Sequence, residues 1–255
     1  MSGTPAPPRR SGRPAHGEPI LERAFRVLGA FAEAGEGLQL HRLAARSGLP
    51  KSTTSRIAAQ LMSVGALERL DNGDFVVGLQ LLEIASLAPR GHGLRAAALP
   101  FMEDLHQVTG QHILLAVRDG HEAVLVERLS ARDAAAVKYR VGGRLPLTET
   151  GIGIALLAHA PERVRDDALA AATDAGRLRR FMAAIRGEGV CAMTTPNPLS
   201  AGPTTMSTVA APILNREGDP LGALSLVAPD EGGSQATARL ALRTASLAIS
   251  RTVGI

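Results

Sequence analysis

One cysteine, one tyrosine, five phenylalanines and no tryptophan are spread over 255 residues. A lone Cys191 excludes an intrachain disulfide framework and a multi-cysteine zinc or iron–sulfur site. With aromatics at 2%, the core must be built from Leu, Val, Ile and Ala. That scarcity also argues against aromatic stacking platforms for single-stranded nucleic acid. No apolar run reaches the roughly 18 residues of a membrane span. Residues 1–19 lack the apolar stretch of a signal peptide and carry Pro, Gly, Ser, Arg9, Arg10 and Arg13. They read as a disordered arm, either simply solvated or touching phosphates. The expected compartment is the cytoplasm. The seven histidines are scattered, and none pairs at the His-x-x-x-His spacing of a helical metal site, so no metal or cofactor is expected.

What is present fits two folded domains. The length, with 45% hydrophobic and 20% charged residues, matches a soluble globular protein. Net charge is only +4, so its distribution matters more than its size. Between residues 40 and 70 stand Arg42, Arg46, Lys51, Arg56 and Arg69 against Glu68 alone. That window carries a basic surplus as large as the whole chain's.

The same window has a pattern. Ile20, Leu21, Ala24, Val27, Leu28 and Phe31 recur at helical spacing and predict a first helix over 20–31, followed by Gly35 and Gly37. A second helix is expected over 40–47. Gly48-Leu49-Pro50 makes a turn, and Pro50 suits the first position of a third helix over 51–64. On that helix Thr54, Ile57, Ala58, Leu61, Val64 and Gly65 share one side. Ser52, Ser55, Arg56, Ala59 and Ser63 occupy the other, with Thr53 at its edge. Strands over 67–70 and 75–77 flank Asp71-Asn72-Gly73-Asp74, a hairpin signal.

Three helices and a two-stranded wing read as a winged helix-turn-helix, with a three-helix bundle of incidentally basic face as the alternative. A major groove admits one helix, whose hydroxyls and Arg side chains reach base edges while other cations hold phosphates. The candidate DNA-binding residues are therefore Arg42, Lys51, Ser52, Thr53, Ser55, Arg56 and Arg69. Arg46 is a further phosphate candidate.

Apolar residues 79–87 follow, and Pro89-Arg90-Gly91-His92-Gly93 is read as a break. Beyond it, helices are expected over 94–108, 151–159, 163–185 (broken near Gly176) and 235–252. Strands are expected over 113–117, 123–129, 137–141, 190–193, 208–214 and 221–227. Strands paired, then helices, then strands again indicate an α+β sheet covered by helices.

The run LAARSGLPKSTTSR over 43–56, with Leu61, Gly65 and Phe75, resembles the DNA-binding domain of IclR-type regulators, the isocitrate lyase regulator family. Gly78-Leu79-Gln80-Leu81-Leu82 is similar to that family's linker helix. GGRLPL over 142–147, Thr150, Gly153 and ALLA over 155–158 resemble its Gly-x-x-x-Pro-Leu…Thr-Ala-x-Gly-Lys-Ala motif. VAAPI over 209–213, Gly218 and ALSL over 223–226 resemble its last two strands. The resemblance covers residues 20–251.

It implies an α+β two-domain chain: a disordered arm (1–19), a winged helix-turn-helix (20–78), a linker helix (79–93) and an effector-binding and oligomerisation domain (94–255). The last would be a GAF-like antiparallel sheet of six strands flanked by helices. It also implies a homodimer or tetramer on a palindromic double-stranded operator, and a small-molecule effector, often an organic acid. By family position the effector residues would be Gly151, Ile152, Thr208 and Ser225.

The chain departs from the pattern around those residues. The usual Lys is Ile154, and the acidic loop is replaced by TPNPLSAG over 195–202. The usual Cys is Thr208, and the frequent Ser partner of Ser225 is Val227. An unpaired buried donor costs roughly 1–3 kcal/mol, so loss of a polar anchor changes which ligand is held. An apolar or uncharged effector, or a pocket that binds nothing, both fit.

Rival readings stand beside these. Gly151-Ile152-Gly153 lacks the rest of a nucleotide fingerprint. Cys191, in an apolar run, reads as a small buried hydrophobe rather than a redox sensor. A small-molecule enzyme with a helical appendage would need an acid–base or nucleophile cluster that the sequence does not display, so no enzyme is expected. A further reading keeps DNA binding but makes the second domain a dimerisation module alone.

Overall fold

Val27, Leu43, Ile57, Ala58, Leu67 and Phe75 are almost fully buried together, which ties the predicted helices and hairpin into one small core. The computed structural model describes residues 18–33, 37–130, 139–196, 205–230 and 235–253. The arm with Arg9, Arg10 and Arg13 lies outside them. The chain divides into two compact units at Leu87 and Ala88.

In the first unit, α1 (Ile20–Gly29) runs into a 3-10 turn (Ala30–Glu33), followed by α2 (Leu40–Ser47) and α3 (Lys51–Ser63). Then come β1 (Leu67–Arg69), β2 (Phe75–Val77) and α4 (Leu79–Ser86). α2 ends at Gly48, whose φ of +65° is the left-handed turn that favours glycine. Its N–H donates to the Ala45 carbonyl, and that of Leu49 donates to Ala44. Pro50 stands one place earlier than expected. Its ψ of 142° is extended, and its carbonyl accepts from Thr54 N–H, so it caps α3 rather than opening it. Val64 also departs from expectation. α3 stops before it, and it is 62% exposed. The wing pairs as expected, Leu67 with Val77 and Arg69 with Phe75. Leu38 adds an unexpected bridge to Phe75 that anchors the wing to the helices.

The second unit begins with α5 (Pro89–Thr109). Pro89 to Gly93, read as a break, instead forms its first turn, because proline at a helix start has the right φ already. Residue 94 therefore lies inside a helix, and the expected link over 79–93 is split between α4 and α5. There follow β3 (His112–Asp119), β4 (Glu122–Leu129), β5 (Arg144–Pro146), α6 (Gly151–Ala158) and α7 (Glu162–Ala171). The chain continues through α8 (Ala175–Glu188), β6 (Cys191–Pro196), β7 (Thr205–Leu214), β8 (Pro220–Pro229) and α9 (Gln235–Val253).

Six strands form one antiparallel sheet in the order β5-β4-β3-β8-β7-β6. Alternation along each strand sends side chains to two cores. Ile113, Leu115, Val209 and Leu224 face α5 and α9. Leu114, Ala116, Ala210 and Val227 face the side of α6, α7 and α8. All eight residues of α6 are buried, as a helix apolar all round must be.

Two expectations change here. The strand predicted over 137–141 lies partly outside the described residues. Tyr139 to Val141 are not strand, and pairing with β4 begins after the Gly142 turn, at Arg144. The break expected near Gly176 in the helix predicted over 163–185 falls just before it, at Asp174, whose carboxylate accepts from Arg177 N–H. Among the described residues no helix is long and apolar enough to cross a membrane.

Candidate functional site

On α3 the inward face is Thr54, Ile57, Ala58 and Leu61, all buried. The hydroxyl of buried Thr54 donates to the Pro50 carbonyl at 3.1 Å, so this polar side chain is satisfied within the helix start. Lys51, Ser52, Ser55 and Arg56 are exposed on the other face, and Thr53 is half-buried at its edge. Among the described residues the side chains of Lys51, Ser52, Ser55 and Arg56 form no hydrogen bond or ion pair, and neither does exposed Arg42 on α2. A helix presenting two free cations and two free hydroxyls, braced by α2 through the Gly48 turn, can be laid in a groove.

Two cations in this region are already used. Arg46 donates to the Ala30 carbonyl at 3.2 Å and holds α2 against the 3-10 turn. Arg69 donates to the Gly73 carbonyl at 3.1 Å and lies over the Phe75 ring. Its remaining donors are exposed on the wing. Glu68, the acidic residue of the basic window, accepts from Leu79 N–H and caps α4.

In the second unit the four residues chosen as effector contacts meet at one narrow cavity. Gly151 and Ile152 open α6, while Thr208 on β7 and Ser225 on β8 line the sheet beneath. The register explains the convergence. Met193, Thr208 and Val227 form one cross-sheet row; Ala210, Ser225 and Leu114 form the next. A Cβ on Gly151 would lie 2.7 Å from the Thr208 methyl, so glycine is what lets α6 approach the sheet here. Thr150 caps α6, accepting from Gly153 N–H at 3.1 Å while its own hydroxyl donates to the Pro146 carbonyl. The first-turn amides of Gly151 and Ile152 have no intrahelical acceptor. Ser225 Oγ is fully buried and has no hydrogen-bond partner among the described residues.

The cavity holds about 20 Å³, room for roughly one water molecule. Beside it lies a chamber of about 280 Å³ lined by Ile154, Asp174, Arg177, Leu178 and Phe181 among others. The two share Glu149, Met193 and Thr195 as a common wall. Sequence reasoning missed Tyr139, Glu149, Met193 and Thr195. The β6 register would have revealed Met193, but a single sequence does not show which strands pair. The loop read as a replacement for an acidic segment lies, from residue 197 onward, outside the described residues. Among the described residues no three His, Cys, Asp or Glu side chains gather where a metal ion could sit.

Cys191 is buried in β6, and burial pushes its thiol up to about 11, against a smaller opposing effect of Arg239. The thiolate is the reactive form, so a disulfide reagent at pH 8 should label the native protein at least about tenfold more slowly than the urea-unfolded chain. Equal rates, followed by thiol absorbance, would contradict the burial. The folded state keeps this proton where the unfolded chain loses it. Stability should therefore fall as pH rises from about 9 toward about 11.

Comparison with known proteins agrees with this architecture. Residues 20–71 match the model of the IclR helix-turn-helix domain, and residues 88–251 that of the bacterial transcriptional regulator IclR C-terminal domain. The HTH-type transcriptional regulator XynR of Escherichia coli is 29% identical over 248 residues, 92% of this chain and 96% of that protein. The repressor AllR of the same species is 29% identical over 157 residues, 58% of each chain. The crystal structure of an IclR homolog from Microbacterium hydrocarbonoxydans, complexed with 4-hydroxybenzoate, is 33% identical with a TM-score of 0.81. That match covers 91% of this chain and 98% of the homolog. The Thermotoga maritima IclR structure shares the fold, with a TM-score of 0.71 at 21% identity over 92% of this chain and 98% of that one.

Proposed function

Because the chain belongs to the IclR family of bacterial transcriptional regulators, we propose that it reads a palindromic operator as a dimer, with α3 of each copy in a major groove. The observation that carries this is the outer face of α3, where exposed Lys51, Ser52, Ser55 and Arg56 have no partner within the described residues. Arg56 is assigned to a base edge, Ser52, Thr53 and Ser55 to bases or phosphates, and Arg42, Lys51 and Arg69 to phosphates. Arg46, committed to Ala30, is left out of the contact set.

Dimerisation is supported by apolar side chains that the first unit leaves in solvent. Leu79, Leu82, Ile84 and Leu87 are exposed along and just past α4, and Leu21 and Phe25 on α1. The effector sits at Gly151, Ile152, Thr208 and Ser225 and favours one of two dimer arrangements through residues 79–93, by binding one more tightly than the other. The 4-hydroxybenzoate complex of the Microbacterium relative supports a small planar ligand. The reading assigns no catalytic role and a cytoplasmic site of action.

The test is a salt titration of the protein on its own upstream promoter DNA against a scrambled duplex of equal length. The expected result is tighter binding to the promoter, with log affinity falling steeply against log salt on both duplexes. Equal binding to both, persisting when the flanking genome is tiled as competitor, would count against a local operator. No binding at any salt would end the DNA-binding reading of α3.

A further inference from the structure

Ser225 Oγ is a buried hydroxyl without a partner among the described residues, aimed into the narrow cavity beneath the start of α6. A native structure leaves few such groups, and a ligand atom entering the cavity would satisfy this one. Around it the lining residues include Tyr139, Thr195 and Thr208, the first turn of α6, and one carboxylate, Glu149 at the rim. Among the described lining residues there is no cation. Arg177 belongs to the outer chamber, where its guanidinium lies over the Phe181 ring 5.4 Å away.

These groups sort a ligand by charge. A carbonyl oxygen accepts from Ser225 Oγ–H and from the Gly151 or Ile152 amide, at the positive end of the α6 dipole. A carboxylate would gain the same donors. It would also share the cavity with the Glu149 carboxylate, with no cation among the described lining residues to offset the repulsion. A neutral N–H beside the carbonyl turns that repulsion into a hydrogen bond, since Glu149 is an acceptor only. The body of the molecule then passes the Met193 wall into the outer chamber, against Ile154, Leu178 and Phe181. A thioether is soft enough to yield to a ring and makes favourable contact with its edge.

The geometry points to an uncharged planar carboxamide or lactam as the effector class of this protein, its carbonyl on Ser225 and the α6 start and its N–H on Glu149. The inference rests on the assignment of this cavity as the effector site.

The probes are 4-hydroxybenzamide and 4-hydroxybenzoate, which share ring and hydroxyl and differ in the charge of the head group. Isothermal titration of the full chain is expected to give a Kd for the amide about tenfold or more below that of the acid. Glu149→Gln should tighten the acid and narrow the gap. Ser225→Ala should weaken the amide by up to about tenfold, the range of one neutral hydrogen bond. Equal or tighter binding of the acid to the parent protein would overturn the inference, as would failure of both probes to bind at millimolar concentration. Neither result needs a variant to fold. Promoter binding, measured separately, is a different axis: a protein that grips its promoter yet prefers the acid loses only this inference.

Discussion

Gly78→Ala is expected to destabilise the first unit by about 3 kcal/mol, the upper end of overpacking costs. A Cβ built at Gly78 lies 2.1 Å from the Gly65 carbonyl oxygen and 3.0 Å from its carbon. The obstacle is backbone, so no side-chain rotation relieves it. Gly78 N–H also donates to the Ala66 carbonyl at 3.0 Å, which pins the exit of the wing to the end of α3. Moving Gly78 outward would break that bond and strain the β1–β2 pairing on either side. A unit of this size has stability on the order of 3–9 kcal/mol, so the loss is a large share of the whole. Gly29, at the end of α1 with nothing within 4 Å of a Cβ, is the control. Alanine there should be neutral or stabilise by up to about 1 kcal/mol. Urea unfolding followed by circular dichroism checks both, and a Gly78→Ala protein with the parent's midpoint would show that the close approach is not real.

Arg56→Ala is expected to cost operator binding about 1–3 kcal/mol, roughly tenfold to hundredfold in Kd, with little effect on folding. The side chain is exposed and makes no bond within the described residues, so its removal leaves no orphaned partner. If it reads a guanine edge, the loss falls on the specific site and leaves scrambled DNA nearly unchanged. Lys51→Ala should behave differently, weakening binding to all sequences and lowering the salt slope by about one. Arg46→Ala gives the opposite pattern, reduced stability without loss of specificity, because its guanidinium serves the Ala30 carbonyl. Fluorescence anisotropy on operator and scrambled duplexes separates the three. Parent-like operator affinity in Arg56→Ala would remove α3 from the groove.

Much of the first unit was readable because its signals are local. The Gly48 turn, the two-faced α3 and the Asn72-Gly73 wing each declare themselves within a dozen residues, and the elements expected there are present. The errors were at ends. Pro50 as a cap and Val64 as solvent-exposed depend on where the first and last helical hydrogen bonds fall, and an apolar wheel does not encode that. Pro89 to Gly93 looked like a break because glycine and proline are helix-poor, yet they form the first turn of a 21-residue helix whose later residues are buried on the sheet.

The second unit divides the same way. Short apolar runs at 113–117, 208–214 and 221–227 marked β3, β7 and β8, and resemblance pointed to Gly151, Ile152, Thr208 and Ser225. β5, only three residues long, carried no pattern of its own. What the chain determined by itself was the set of elements, the basic hydroxyl face of α3 and the apolar character of α6, since each depends on neighbours a few positions apart. Only the tertiary structure decided that β3 pairs with both β4 and β8, bringing Ser225 beside Leu114 and Thr208 beside Val227 and Met193. It alone left the Ser225 hydroxyl buried without a partner among the described residues and put Glu149 at the same cavity. The physical reason is register: a one-residue slip of any strand would turn every side chain to the opposite face, and that choice is made by packing between segments a hundred residues apart.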